Sequence, residues 1–310
     1  MYDLIGDIHG HADELVRLLE ILGYRKQQGI FKHPERKVVF LGDFIDRGAQ
    51  IRQVLEIVRP MVESEAALSV MGNHELNALA FHTEDPESPG EYLRCHTPKN
   101  VKQHRETIQQ LNSGELQSHL NWFRTLPMWL DLDGLRVVHA CWDEQSISQM
   151  TCALEERRGI TNDFLQSACK SGNTVFDRVE VILKGKEASL PEGIVFHDKD
   201  GHARSRIRTR WYLSPEGQTY QTYALESAGI VCCEELEASV IAEAIPYSVT
   251  NKPVFIGHYW LSARRPEILA DNVACLDFSV AKGGFLCAYR WYGEQTLSNA
   301  NFVWVDAASK

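Results

Sequence analysis

Five apolar segments in this chain each run straight into a small polar cluster, and that arrangement limits the fold more than any other feature. Residues 2–6, with Tyr2, Leu4 and Ile5, end in Gly6-Asp7-Ile8-His9-Gly10. KVVFL at 37–41 ends in Gly42-Asp43-Phe44-Ile45-Asp46-Arg47-Gly48. AALSVM at 66–71 ends in Gly72-Asn73-His74-Glu75. The stretch 135–138 ends in His139, and 253–256 ends in Gly257-His258. Short apolar and β-branched runs closed by Gly and Asp read as buried strands. Between the first two, Leu15, Leu18, Leu19 and Leu22 fall at i, i+3, i+4 and i+7. That spacing predicts an amphipathic helix ended by Gly23. Residues 51–63 predict a second helix, broken or kinked by Pro60. The order β-α-β-α-β predicts an α/β fold built on central sheets. Two stretches poor in strand signals, 77–125 and 142–192, read as helical insertions in one domain spanning 1–310. Near the C-terminus, residues 273–292 read as two strands joined through Lys282-Gly283-Gly284.

Ligands in open α/β sheets bind beyond the carboxyl ends of the strands. The five ends would bring Asp7, His9, Asp43, Asn73, His139 and His258 to one place. This is a nitrogen and oxygen donor set without a thiolate, suited to Mn, Fe, Zn or Mg. Gly6, Gly42, Gly72 and Gly257 each precede one of these residues, where a missing Cβ permits close approach. One Gly-Asp dipeptide carries no weight, but four glycine-plus-ligand pairs after four apolar runs do.

Charge excludes some functions. The 310 residues hold 32 Lys+Arg against 42 Asp+Glu, a net charge of −10. An acidic chain lacks the clustered cations of a general nucleic-acid or anionic-membrane binder. No run reaches the roughly 18 apolar residues that span a bilayer. The start, MYDLIGDIHG, lacks the basic region of a signal peptide. Eight cysteines without a C-x-x-C pair fit reduced thiols, and the expected location is cytoplasmic.

GDIHG (6–10), GDFIDRG (42–48) and GNHE (72–75), spaced 36 and 30 residues apart from Asp7 to Asp43 to Asn73, resemble the signature blocks of calcineurin-like metallophosphoesterases. They are closest to the phosphoprotein-phosphatase branch, which holds Ser/Thr protein phosphatases and symmetrical diadenosine-tetraphosphate hydrolases. The resemblance implies a four-layer α/β/β/α sandwich and two divalent metal ions, Mn first, with Fe, Zn, Mg or Ni as alternatives. It implies that Asp7 and His9 bind one ion, that Asp43 bridges both, and that Asn73, His139 and His258 complete the second. His74 would be the general acid, oriented by Asp46, and Arg47 and Asn73 would contact the phosphate. The fourth block reads His139-Ala140-Cys141 where the family commonly has His-Gly-Gly. The fifth lacks a second His, as the phosphoprotein-phosphatase branch also does.

The implied chemistry is hydrolysis of a phosphomonoester, in the manner of a Ser/Thr protein phosphatase, by a hydroxide bridging the two metals. The alternative is a symmetrical dinucleoside polyphosphate hydrolase. A metal-binding interaction protein without turnover would not need Asp46, Arg47 and His74. The partners expected are therefore phosphoproteins, nucleotides or small phosphoesters. One further pattern stands out. Arg204, Arg206, Arg208 and Arg210 alternate, and on one strand all four would face the same side. Either they meet substrate phosphates or they form a solvated face paired with acids such as Glu192 or Asp200. The remaining histidines, His82 and His104 among them, read as surface or hydrogen-bonding residues. Trp142 and Trp260 lie near expected ligands and are candidates for the pocket wall.

Overall fold

A computed structural model of the chain describes residues 1–197, 201–225, 230 and 232–308. Two sheets form its centre. The larger orders its strands Asp277–Phe278, Phe285–Trp291, Tyr2–Ile5, Lys37–Phe40 and Ala67–Ser69, with Phe302–Asp306 also paired to Phe285–Trp291. Tyr2–Ile5, Lys37–Phe40 and Ala67–Ser69 are parallel neighbours, as the β-α-β-α-β reading requires. The smaller sheet orders Val273–Cys275, Val254–Ile256, Leu135–Val138 and Trp129–Leu132.

Side-chain alternation makes the layers. Leu4 and Val39 from the first sheet meet Val137, Phe255 and Ala274 from the second in a core between the sheets. Their neighbours Ile5, Val38 and Phe40 turn the other way, against Leu15, Leu18 and Leu19 of helix α1 (Ala12–Ile21) and Val54, Leu55 and Val58 of helix α2 (Ile51–Glu63). Helix α2 carries Pro60 within its last turn and still runs to Glu63, with Met61 buried beyond the proline. The predicted break is absent because only the final turn lies past Pro60, and burial of Met61 holds it.

Helix α3 (Asn73–Phe81) starts directly at the third strand-end cluster. Two helices follow it, α4 (Pro98–Gln110) and α5 (Ser113–Phe123). Thr97 caps α4 by accepting from the Asn100 N–H, and Pro98 occupies its first turn. Three more, α6 (Glu144–Arg157), α7 (Asn162–Cys169) and α8 (Thr174–Lys184), fall between His139 and the rest of the chain.

Two expectations need correcting. The run 273–292 does form the hairpin through Lys282-Gly283-Gly284, with Asp277–Phe278 antiparallel to Phe285–Trp291, but its first strand is split: Val273–Cys275 belongs to the smaller sheet, and the chain crosses at Leu276. The arginine run is not one strand either. Ala203–Arg204 pairs with Phe196–His197, while Arg206–Arg208 pairs with Glu187–Ser189, so the row is broken at Ser205. A separate small core of Ala188, Ile207, Tyr220, Tyr223 and Leu236 forms here, which strand periodicity did not announce.

Candidate metal centre

The strand ends do converge. Asp7, His9, Asp43, Asn73, His139 and His258 are all buried, none more than 7% exposed. The Asp43 carboxylate is central. Its Oδ2 lies 3.4 Å from His9 Nε2, 3.9 Å from His74 Nε2 and 3.5 Å from His139 Nε2. Two groups of donor atoms close enough to share an ion meet at this carboxylate: His9, Asp43 and His74, and Asp43, His139 and His258. Asn73 Oδ1 sits between the latter two rings, 3.1 Å from His139 Nε2 and 2.7 Å from His258 Nδ1. Asp7 stands beside the cluster with its carboxylate accepting from the His258 N–H, at 3.0 Å.

The surroundings aim these donors. His9 Nδ1 donates to the Ile45 carbonyl at 2.8 Å and His139 Nδ1 to the Leu41 carbonyl at 2.7 Å, which turns both Nε2 atoms toward Asp43. The first turn of α3 donates its His74 N–H to Asp43 Oδ1 at 2.9 Å. Two glycines are sterically required. A Cβ on Gly257 would lie 2.1 Å from Asp7 Oδ1, and one on Gly72 would lie 2.2 Å from Asp43 Oδ1. His9, Asp43, Asp46, Arg47, His258 and Trp260 all have positive φ, a conformation that costs a non-glycine residue energy and collects at functional sites.

The electrostatics fit cations. Burial, with His74 alongside, pushes His9 down to about 3, so the ring stays neutral and keeps a free lone pair. Burial and then Arg208 hold His258 well below its ordinary value. Burial also opposes charge on Asp43 and His139, yet their mutual attraction wins, lowering the carboxyl and raising the imidazole to about 10. An imidazolium thus neutralises Asp43, the role a divalent ion would take. Among the described residues, His9 Nε2 and His258 Nε2 are buried without a hydrogen-bond partner, which a metal bond would resolve. The residues present fit a centre of divalent ions with nitrogen and oxygen ligands.

A second arrangement adjoins it. His74 Nδ1 lies 2.5 Å from Asp46 Oδ2. Asp46 Oδ1 accepts from Thr107 Oγ1 at 2.6 Å and lies 2.8 Å from His104 Nδ1. His104 Nε2 in turn lies 3.1 Å from His82 Nε2. Burial raises the Asp46 carboxyl, but the hydrogen bonds from His104 and His74 outweigh it and hold the group far below the carboxylate range. Asp46 is therefore a fixed acceptor. The exposed Arg47 guanidinium lies 3.7 Å over the Trp260 ring, with Nη2 3.5 Å from His74 Nε2. Lys282 reaches the same ring at 4.6 Å. Asp277 holds that turn, accepting from the Trp260 N–H at 2.6 Å.

Of the other candidates, Trp142 is elsewhere, bonded to Glu144 and stacked with Arg136. The arginines diverge. Arg208 lies 5.9 Å from the Tyr259 ring and depresses His258. Arg206 pairs with Glu187 at 3.5 Å, and Arg210 donates to the Ala224 carbonyl. Arg204 is exposed on its own short strand, and Asp200, an expected partner, lies outside the described residues.

Sequence reasoning missed His104, Thr107, Gln103, Glu75 and Asp277. A signal existed for three of them: Gln103, His104 and Thr107 fall, together with Gln110, on one face of α4. A polar stripe at helical spacing points inward only when its target is polar. His104→Ala is expected to lower kcat on alkyl phosphates about tenfold or more, the worth of one hydrogen bond to a charged group. His104→Asn, which keeps a donor near the Nδ1 position, should restore most of it. Equal losses in both variants would show that His104 only fills space.

The family model for calcineurin-like phosphoesterases matches residues 2–175. The asymmetrical bis(5'-nucleosyl)-tetraphosphatase PrpE of Geobacillus sp. (strain WCH70) is 51% identical over 146 residues, covering 44% of this chain and 55% of that protein. Its counterpart from Oceanobacillus iheyensis is 28% identical over 139 residues, 44% of this chain and 54% of the relative. The chain spans about half the length of these two curated relatives. A cold-active protein-tyrosine phosphatase of a psychrophilic Shewanella superimposes with a TM-score of 0.51 at 17% identity, over 93% of this chain and 75% of that one. A protein serine/threonine phosphatase from Saccharomyces cerevisiae gives 0.50 at 13% identity, over 100% and 80%. At these identities the two structures share the fold alone.

Proposed function

The chain belongs to the calcineurin-like phosphoesterase family and is a phosphoester hydrolase, and from that premise we propose that it cuts phosphoanhydrides of bis(5'-nucleosyl) tetraphosphates. The observation that carries the catalytic reading is the Asp43 carboxylate shared by two donor groups, with Arg47 and the His74–Asp46 pair at its edge. The choice of nucleotide over phosphoprotein is supported by the tetraphosphatase names of the curated relatives. Protein phosphatases enter only as fold neighbours, so the Ser/Thr phosphatase reading has less support. The relatives are named asymmetrical, which favours unequal products over the symmetrical cut that the sequence offered as its alternative reading.

Asp7, His9 and Asp43 would hold one divalent ion, and Asp43, Asn73, His139 and His258 the other, manganese being our first choice. Such ions supply Lewis acidity and charge neutralisation toward phosphate and water. The protein does the rest. Arg47 can offer two parallel N–H donors to phosphate oxygens, and its stacking on Trp260 limits where they point. Asp46 binds the Nδ1 proton of His74, so a second proton on the ring sits on Nε2. That proton passes to the leaving oxygen as the bond to phosphorus breaks. Burial of the cluster keeps bulk water from screening these charges.

The test is product analysis. Protein loaded with Mn²⁺ is given diadenosine tetraphosphate, p-nitrophenyl phosphate and a phosphopeptide, and nucleotides are separated by anion exchange. A nucleoside monophosphate with a triphosphate is expected. Two diphosphates would return the symmetrical reading, and turnover of the phosphopeptide alone would refute the nucleotide one.

A further inference from the structure

Behind His74 stands a half-buried cation whose partners carry no charge. Arg94 donates from Nη1 to Asn77 Oδ1 and from Nη2 to Gln103 Oε1, each at 2.9 Å. Among the described residues no carboxylate comes within ion-pair distance of it. Burial disfavours its charge, and the Asp46 and Glu180 carboxylates support it only from beyond ion-pair distance, so the guanidinium keeps room for an anion in direct contact. Gln103 ties this cation to the chemistry, because its Nε2 lies 3.4 Å from His74 Nε2. Arg94 is therefore one side chain away from the atom that would protonate the leaving group.

Arg94 and Asn77 also line an adjoining cleft of about 400 Å³, counting its open mouth. Most of that volume is open mouth, so a ligand would lie along the cleft and not inside it. Its apolar lining comes from Leu76, Leu93 and Phe176. Phe176 shares a face of α8 with Glu180 and Lys184, which pair with each other. With Lys184 neutralised by Glu180, Arg94 is the cation left to meet an anion.

We propose that this cleft receives the leaving nucleotide, with Arg94 on its phosphates and Leu76, Leu93 and Phe176 against its base. The inference rests on the nucleotide reading above. Geometry sets the direction: what is bonded to the oxygen that His74 protonates must lie on the His74 side, where Arg94 is. Glu180 can accept from an exocyclic amine on the base. A phosphotyrosyl ring would fit the apolar lining but would leave Arg94 without an anion.

Inhibition of p-nitrophenyl phosphate turnover by the metal-loaded protein tests this without requiring tetraphosphate cleavage. ATP and inorganic tripolyphosphate serve as probes. Arg94→Gln is expected to raise the inhibition constant of both by about tenfold or more, the worth of one charge-assisted contact. Arg94→Lys should fall between. Phe176→Ala should raise the constant for ATP and leave that for tripolyphosphate within about twofold, since only ATP has a base to stack. KM for p-nitrophenyl phosphate should stay within about twofold in all three, because that substrate does not reach the cleft. Unchanged inhibition by both probes in Arg94→Gln overturns the proposal. So does a rise in KM for a phosphotyrosyl peptide in Phe176→Ala without any change for ATP. If wild-type protein hydrolyses p-nitrophenyl phosphate but not diadenosine tetraphosphate, the substrate reading fails by itself, and the ATP constants still decide whether the cleft binds nucleotide.

Discussion

Replacing His74 with Asn is expected to lower kcat on an alkyl phosphomonoester by about 10²–10⁴, the usual contribution of a positioned general acid. The loss should be far smaller on p-nitrophenyl phosphate, whose leaving group departs without a proton. The structure raises a rival role, since His74 Nε2 falls within one donor group around Asp43. The neighbours argue against ligation. A guanidinium nitrogen of Arg47 lies 3.5 Å from that Nε2, a poor companion for a metal ligand and a good one for phosphate. The two roles separate in one preparation. As a general acid, His74→Asn keeps its metal content, measured by elemental analysis, and shows the leaving-group dependence. As a ligand, it loses metal and falls equally on both substrates.

The second large effect concerns a residue that touches no substrate. Glu75 is fully buried, and its carboxylate accepts three backbone N–H groups, from Asp43 at 2.8 Å, Phe44 at 2.9 Å and Gly72 at 3.0 Å. These fasten the Asp43 loop to the start of α3. Glu75→Ala leaves three buried donors unmet and is expected to cost about 3–5 kcal/mol in urea unfolding of the metal-free chain. Glu75→Gln keeps one oxygen acceptor and should cost about half as much. Burial, followed by the Asp43 charge, already pushes Glu75 up to about 7, so loss of charge alone is the milder change. A cost under about 1 kcal/mol for the alanine variant would mean the loop is held by other contacts.

Much of the site was legible in the sequence. The strand ends, their glycines and the helix following Gly10 are local patterns, and the candidate donors Asp7, His9, Asp43, Asn73, His139 and His258 lie together as their places at strand ends imply. What was not legible is how polar groups pair across the chain. His104 reaches Asp46 over 58 residues and His258 reaches Asn73 over 185. The alternating arginines show the limit of periodicity: it assumes one continuous strand, and the backbone changes partner at Ser205.

The sequence by itself determined that an α/β sheet would carry oxygen and nitrogen donors past its strand ends, because burial periodicity and glycine placement act between near neighbours along the chain. Only the tertiary structure decided that α4 would brace Asp46 through His104 and Thr107, and that Arg94 would stand behind His74. Those outcomes depend on how whole helices dock, and docking is settled by distances and left-handed turns that no local pattern encodes.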